Sequence, residues 1–177
     1  MGFVERIGES ITRSIRLDKA LDAELNKEAE RLNISVSGLT EHIVENYLNH
    51  HRWVYRSNAL TILIPTLKEF LEHLDSDTLA EIGDSVGGIV PRQGYLMRGV
   101  SIDEDVAKAH ILRILGGYDN WFTVNYYKQT RPYFFIRNHL GEKWITFVEA
   151  YIKAFYRENL SKEIECVRVG DNLQVLL

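Results

Sequence analysis

Cysteine is almost missing: Cys166 is the one thiol in 177 residues, which excludes an intramolecular disulfide and a thiolate metal cluster. Long apolar runs are missing too. The longest, ALTILIP and DNLQVLL, are far too short to span a bilayer. The first ten residues, MGFVERIGES, place Glu5 and Glu9 where a secretory signal needs an unbroken apolar segment. Arg6 stands where a myristoylation signal prefers Ser or Thr. A cytoplasmic protein without membrane contact is expected. Positive charge is not in excess, with 21 Lys and Arg against 25 Asp and Glu and a net charge of −4. That speaks against a coat of positive charge and strong nonspecific nucleic-acid binding. Any such contact must be focused on a local patch, and Arg6, Arg13, Arg16 and Lys19 form the one on offer.

What is present is the composition of a folded chain, 45% hydrophobic and 26% charged, enough for one moderate domain or a small module joined to a second. TRSIRLD, residues 12 to 18, alternates polar and apolar side chains with period two, the pattern of a strand with one wet and one dry face. Helical spacing follows. Leu21, Leu25, Ala29 and Leu32 form one stripe, with Asp18 as N-cap and Asn33 at the C-terminal cap. Ser35 caps a second helix, carrying Leu39, Ile43, Val44, Tyr47 and Leu48 and reaching about Trp53. Two such helices are close to the lower size limit for folding alone, and a lone strand leaves its backbone groups unmet. Both problems resolve if two copies pair their strands antiparallel about a two-fold axis. Ile15, Leu17, Leu21, Leu25, Leu39, Ile43 and Tyr47 then form a shared dimer core.

The ordered set of Arg16-Leu17, the helix from about Lys19, and Asn33-Ile34-Ser35-Val36-Ser37 before a second helix resembles the ribbon-helix-helix fold of the Arc and MetJ repressor superfamily. The resemblance covers roughly residues 10 to 50. Arg13 departs from it, standing at an inward-phased position where such strands usually carry an apolar residue. The resemblance implies a homodimer whose paired ribbon enters the major groove of double-stranded DNA. Thr12, Ser14 and Arg16 would contact bases, Arg16 suiting guanine. Arg13 and the start of the second helix at Ser35, Val36 and Ser37 would contact phosphate.

Beyond the linker HHRWVYRSN the pattern becomes mixed. ALTILI (59 to 64) reads as a strand, and Pro65 opens a helix to about His73. SDTLAEIGDSVGGIVP reads as a helix ending near Pro91. Ser101 and Glu104 have capping-box spacing for a helix that Gly116-Gly117 stop. NWFTVNYYK and RPYFFIRNHL are aromatic strands, GEKWITFVEAYIKAFYREN is an amphipathic helix, and KEIECVRV with DNLQVLL is a hairpin turning at Gly170-Asp171. The expected fold class is α+β: a ribbon-helix-helix domain over 1–53, then an α+β domain with an antiparallel sheet over 58–177.

In the aromatic strands, Trp121, Tyr127, Tyr133 and Phe135 share one phase with Arg137 and His139. A sheet face both aromatic and polar suits an interface or an apolar ligand with an anionic group. A core buried on both sides of the sheet fits the same alternation. His50 and His51 point about 100° apart on a helix and are read as solvated linker residues, so no metal site is expected. VGGIVPRQG lacks the Gly-Lys-Ser/Thr of a phosphate loop. Asp103-Glu104-Asp105 suit the first turn of a helix. No nucleophile elbow or triad spacing occurs, so neither a cofactor nor catalysis is expected. The function read from the residues is a sequence-specific transcriptional regulator, a repressor whose second domain binds a small-molecule effector or builds a tetramer on DNA. The competing reading is an antitoxin-like interaction module that uses the ribbon-helix-helix for dimerisation and autoregulation.

Overall fold

The computed structural model describes residues 10–177, and these divide into two compact units with the boundary between Asn58 and Ala59. In the first unit, helix α1 (Lys19–Leu32) begins where the Asp18 carboxylate accepts the Ala20 amide at 2.8 Å. It ends at Asn33 in the left-handed conformation (φ 53°), and the Ile34 amide folds back onto the Ala29 carbonyl at 3.0 Å. The Ser35 hydroxyl then accepts the Gly38 amide at 3.0 Å and starts α2 (Val36–Asn46). The helical run reaches the expected neighbourhood of Trp53 and ends at Arg56. It passes through a π segment (Tyr47–His51) into α3 (Arg52–Arg56).

The strand expected over 12–18 is not formed: residues 10–18 carry no secondary structure until α1 begins. The physical reason is that a strand needs a partner edge and the first unit holds none among the described residues, since all four strands of the sheet lie in the second.

The second unit is α+β. Pro65 sits in the first turn of α4 (Ile64–Glu72), which claims the end of the strand expected at 59–64. Residues 59–63 join no sheet, and Leu60 and Leu63 are exposed. Asp75 caps α5 (Ser76–Met97) through the Thr78 amide at 2.8 Å. The helix runs through the buried Pro91 for six further residues instead of ending there. The next cap is Asp103, not Ser101: its carboxylate takes the Val106 amide at 2.8 Å and opens α6 (Glu104–Ala109). A π segment (His110–Tyr118) carries that helix beyond Gly116 and Gly117.

Hairpins β1 (Thr123–Tyr127)–β2 (Tyr133–Arg137) and β3 (Glu165–Val169)–β4 (Asn172–Leu176) flank α7 (Glu142–Leu160). They join into one antiparallel sheet of order β1-β2-β4-β3 by pairing β2 with β4, Phe134 opposite Val175 and Ile136 opposite Leu173. These four side chains are fully buried on the face that α7 covers. Arg168, on that same face, reaches Glu149 of α7 at 2.8 Å and Thr146 at 3.0 Å.

On the other side of α7 lies α5, and the approach is close enough to involve backbone. A β-carbon added at Gly83 would lie 2.5 Å from the Phe147 carbonyl oxygen, and one at Gly87 would collide with the carbonyl of Tyr151. Gly87→Ala should therefore destabilise the protein by about 1–3 kcal/mol through overpacking. Gly94, on the same helix with nothing near its absent β-carbon, should gain about 0.5–1 kcal/mol as Ala. Urea unfolding midpoints of the two variants check the contrast.

Candidate functional site

In the first unit, Thr12, Arg13, Ser14 and Arg16 are all exposed in the stretch without secondary structure that leads to Asp18. Ser35 and Ser37 are exposed and Val36 is half-buried at the start of α2, where first-turn amides face no helix carbonyl. The Ser35 hydroxyl is engaged by the Gly38 amide. Of the expected dimer-core side chains, Leu39 is buried and Leu25 half-buried, whereas Ile15, Leu17, Leu21, Ile43 and Tyr47 are exposed. Ile15 and Leu21 each stand 63% open. The two histidines are not a solvated linker pair. Both belong to the π segment after α2, where His50 is buried and His51 exposed, their rings 5.2 Å apart. Among the described residues no three His, Cys, Asp or Glu side chains cluster as metal ligands would, and no helix is long and apolar enough to cross a membrane.

The aromatic set from the two strands is split. Tyr127, Tyr133, Phe135 and Arg137 do share the sheet face away from α7, and the Tyr127 and Tyr133 rings stack at 4.9 Å. Across the sheet, Gln174 and Leu176 continue the rows of Phe135 and Tyr133, and Val167 and Glu165 follow on β3. Trp121 leaves this face because β1 begins only at Thr123. Its amide donates to the Leu115 carbonyl at 2.8 Å, its carbonyl accepts from the Trp144 indole at 2.9 Å, and its ring packs on Trp144, Phe147 and Tyr151. His139 is exposed in the turn after β2.

Pattern reasoning missed the most polar point of the interior. His110, in the first turn of the π segment, is buried between two tyrosines: its Nε2 lies 3.1 Å from the Tyr151 hydroxyl and its Nδ1 3.4 Å from that of Tyr95. The Phe155 ring closes over it at 4.8 Å. The sequence signal was a single histidine among apolar residues in HILRIL, which periodicity reads as core. Burial, with the Arg98 guanidinium nearby, lowers the His110 pKa to about 3, so the ring is neutral and has one donor and one acceptor for the two hydroxyls. Burial also raises the pKa of Asp119, to about 6, and Arg98 opposes the shift. The same desolvation raises both Tyr95 and Tyr151. A neutral His held between two protonated tyrosines ties α5, the π segment and α7 together.

A cleft of about 390 Å³ opens between α4 and the start of α7, lined by Lys68, Leu71, Glu72, Leu140, Gly141, Glu142 and Lys143. Its lysines and glutamates balance, and Lys143 donates to the Glu72 carbonyl at 2.9 Å. Kinship adds nothing to this geometry: no family model, curated protein or solved structure matches the chain.

The buried histidine and Asp119 give the unit two opposing pH dependences. The folded pKa of His110 lies below the unfolded value of 6.5, so the unfolded chain binds the extra proton and stability falls as pH drops from about 6.5 towards 3. Asp119 works in the opposite sense, since the folded chain takes up its proton first, near pH 6. Between about pH 6 and 4 these two effects nearly cancel, so on their account urea midpoints at pH 6, 5 and 4 should stay nearly level. His110→Gln should make the midpoint rise as pH falls and Asp119→Asn should make it fall, each with a slope of up to about one proton. A slope unchanged in His110→Gln would remove this residue as the acid-sensitive group.

Proposed function

We propose that the chain is a homodimeric, sequence-specific DNA-binding regulator of the cytoplasm, a repressor in which two copies of the 12–18 segment pair as a ribbon and read the major groove. The observation that carries this reading is the open apolar surface of the first unit. A helix pair that buries only Ala29 and Leu39 among its apolar residues leaves Ile15, Leu17, Leu21, Ile43, Val44 and Tyr47 exposed. That is the set a second copy would cover. The polar side chains that alternate with Ile15 and Leu17 are Ser14 and Arg16, with Thr12 one step earlier, and they would line the groove-facing side of the ribbon. Arg16 offers bidentate contact to guanine. Arg13 and the amides at Ser35, Val36 and Ser37 would hold phosphate on either flank.

The second unit supports regulation more than an antitoxin-like tail. Its own core includes Phe122, Phe134, Phe155 and Tyr156, each at most 1% exposed, whereas a segment that folds only on a partner is poor in such residues. On this reading it senses an effector or extends the assembly.

Fluorescence anisotropy with the duplex upstream of the chain's own coding sequence, against a shuffled duplex, tests the proposal. Preference for the first, weakening with salt, is expected. Arg16→Ala should keep the fold and lose about 1–3 kcal/mol of discrimination at one base step. Ile15→Glu should abolish specific binding, because it places charge in the shared core. Equal binding to both duplexes would reduce the ribbon to an assembly device, and full specific binding by the Ile15 variant would refute the strand phase.

A further inference from the structure

Helix α5 has two unlike faces. One carries Gly83, Gly87, Gly88, Pro91 and Tyr95, all buried. The other carries Ile82, Val86, Ile89, Gln93 and Leu96, separated by 4, 3, 4 and 3 residues, which is the spacing of a coiled-coil seam. Val90 and Met97 widen it to an arc of about 120° at 3.6 residues per turn. Nothing in the second unit covers this arc: Leu96 is 68% exposed, Ile89 57% and Val90 54%. Only Gln93 and the half-buried Val86 interrupt an exposed apolar stripe that runs most of the length of a 22-residue helix. Its exposed apolar area, on the order of a few hundred Å², is the size at which a surface patch marks an interaction site.

We propose that this face of α5 pairs antiparallel with α5 of a second copy of the chain. Charge selects that occupant. The flank beside the seam carries Glu81 towards its start and Arg92 towards its end, both exposed. Turning a second copy end over end about a two-fold axis keeps that flank on the same side of the interface and brings Glu81 of each helix alongside Arg92 of the other. The same register sets Val86 against Ile89 and Ile82 against Gln93, with the axis crossing the seam at the level of Gly87 and Gly88 along the helix. The helix dipoles also oppose in this arrangement. A parallel pair would instead carry this flank to opposite sides of the interface, where Glu81 and Arg92 could not meet. The seam stands on α5 alone and does not depend on how the first unit reads DNA.

The test separates the two interfaces in the full chain. With Ile15→Glu removing any association through the first unit, sedimentation equilibrium should still give the mass of two chains. Adding Ile89→Glu should give one chain, with the circular dichroism unchanged because Ile89 is not part of the unit's own core. Adding Glu81→Arg instead should raise the dissociation constant at least about tenfold, the equivalent of one 1.4 kcal/mol step. Combining it with Arg92→Glu should restore the affinity, as only an antiparallel self-pair demands. A single-chain mass for the Ile15→Glu protein, or a two-chain mass indifferent to Ile89 and Glu81, would overturn the proposal. Failure of the ribbon reading would show differently, as Ile15→Glu retaining full DNA binding.

Discussion

The close approach of α5 to α7 is the contact on which the second unit depends. Where backbone meets backbone, a side chain on either helix would hold them apart, so Gly83 and Gly87 determine the separation and, with it, the position of Tyr151. Tyr151 offers its carbonyl to the glycine contact and its hydroxyl to His110. One residue therefore joins α5, α7 and the π segment. At the far end of the contact, Asn159 donates to the Gly88 carbonyl at 3.2 Å, and Arg157 meets Asp84 through two bonds of 2.9 and 3.1 Å. The ion pair is exposed and adds little beyond alignment. The glycines carry the packing.

Using glycine for the inner face of α5 has a consequence for its outer face. A helix that lies against its neighbour by backbone buries few of its own large side chains there, so its apolar content is displaced outward. The seven apolar and amide positions along the outer arc are that content. The first unit has the same imbalance from a different cause, since two short helices cannot enclose the side chains they carry. On the two proposals made above, each unit's apolar surface is covered by the same surface on another copy. Where both pair between the same two chains, one contact raises the effective concentration of the other, and neither needs to be strong alone.

The parts of this architecture that were legible in the sequence are those governed by local rules. Asp18, Asn33 and Ser35 act as caps, and the two hairpins with α7 between them follow from period-two and helical spacing. The failures have local causes as well. ALTILI has strand composition, but Pro65 and the lack of a partner edge leave 59–63 outside the sheet. Pro91 and Gly116-Gly117 read as stops, yet α5 continues because the proline is buried against the rest of the unit, and the next helix continues by widening into a π segment. Trp121 was given the phase of a strand that begins two residues later. The His110 pairing joins residues 15 and 41 positions away along the chain, and no periodicity in one sequence carries that information.

Net charge and the proposed DNA contact are reconciled by where the charges sit. The chain is acidic overall, at −4, but residues 12 to 19 hold Arg13, Arg16 and Lys19 against Asp18 alone. Asp18 is committed to the Ala20 amide at the helix start. The later cations of α1 are engaged: Lys27 with Glu24 and Arg31 with Glu28, each pair three residues apart on the helix surface. On the proposed reading, therefore, the ribbon segment and the amides at Ser35 to Ser37 meet phosphate, and the acidic flank of α1 repels the backbone. A contact built from so few cations gains little from counterion release. Its affinity must come mainly from fit in the groove, which places the burden of recognition on Thr12, Ser14 and Arg16.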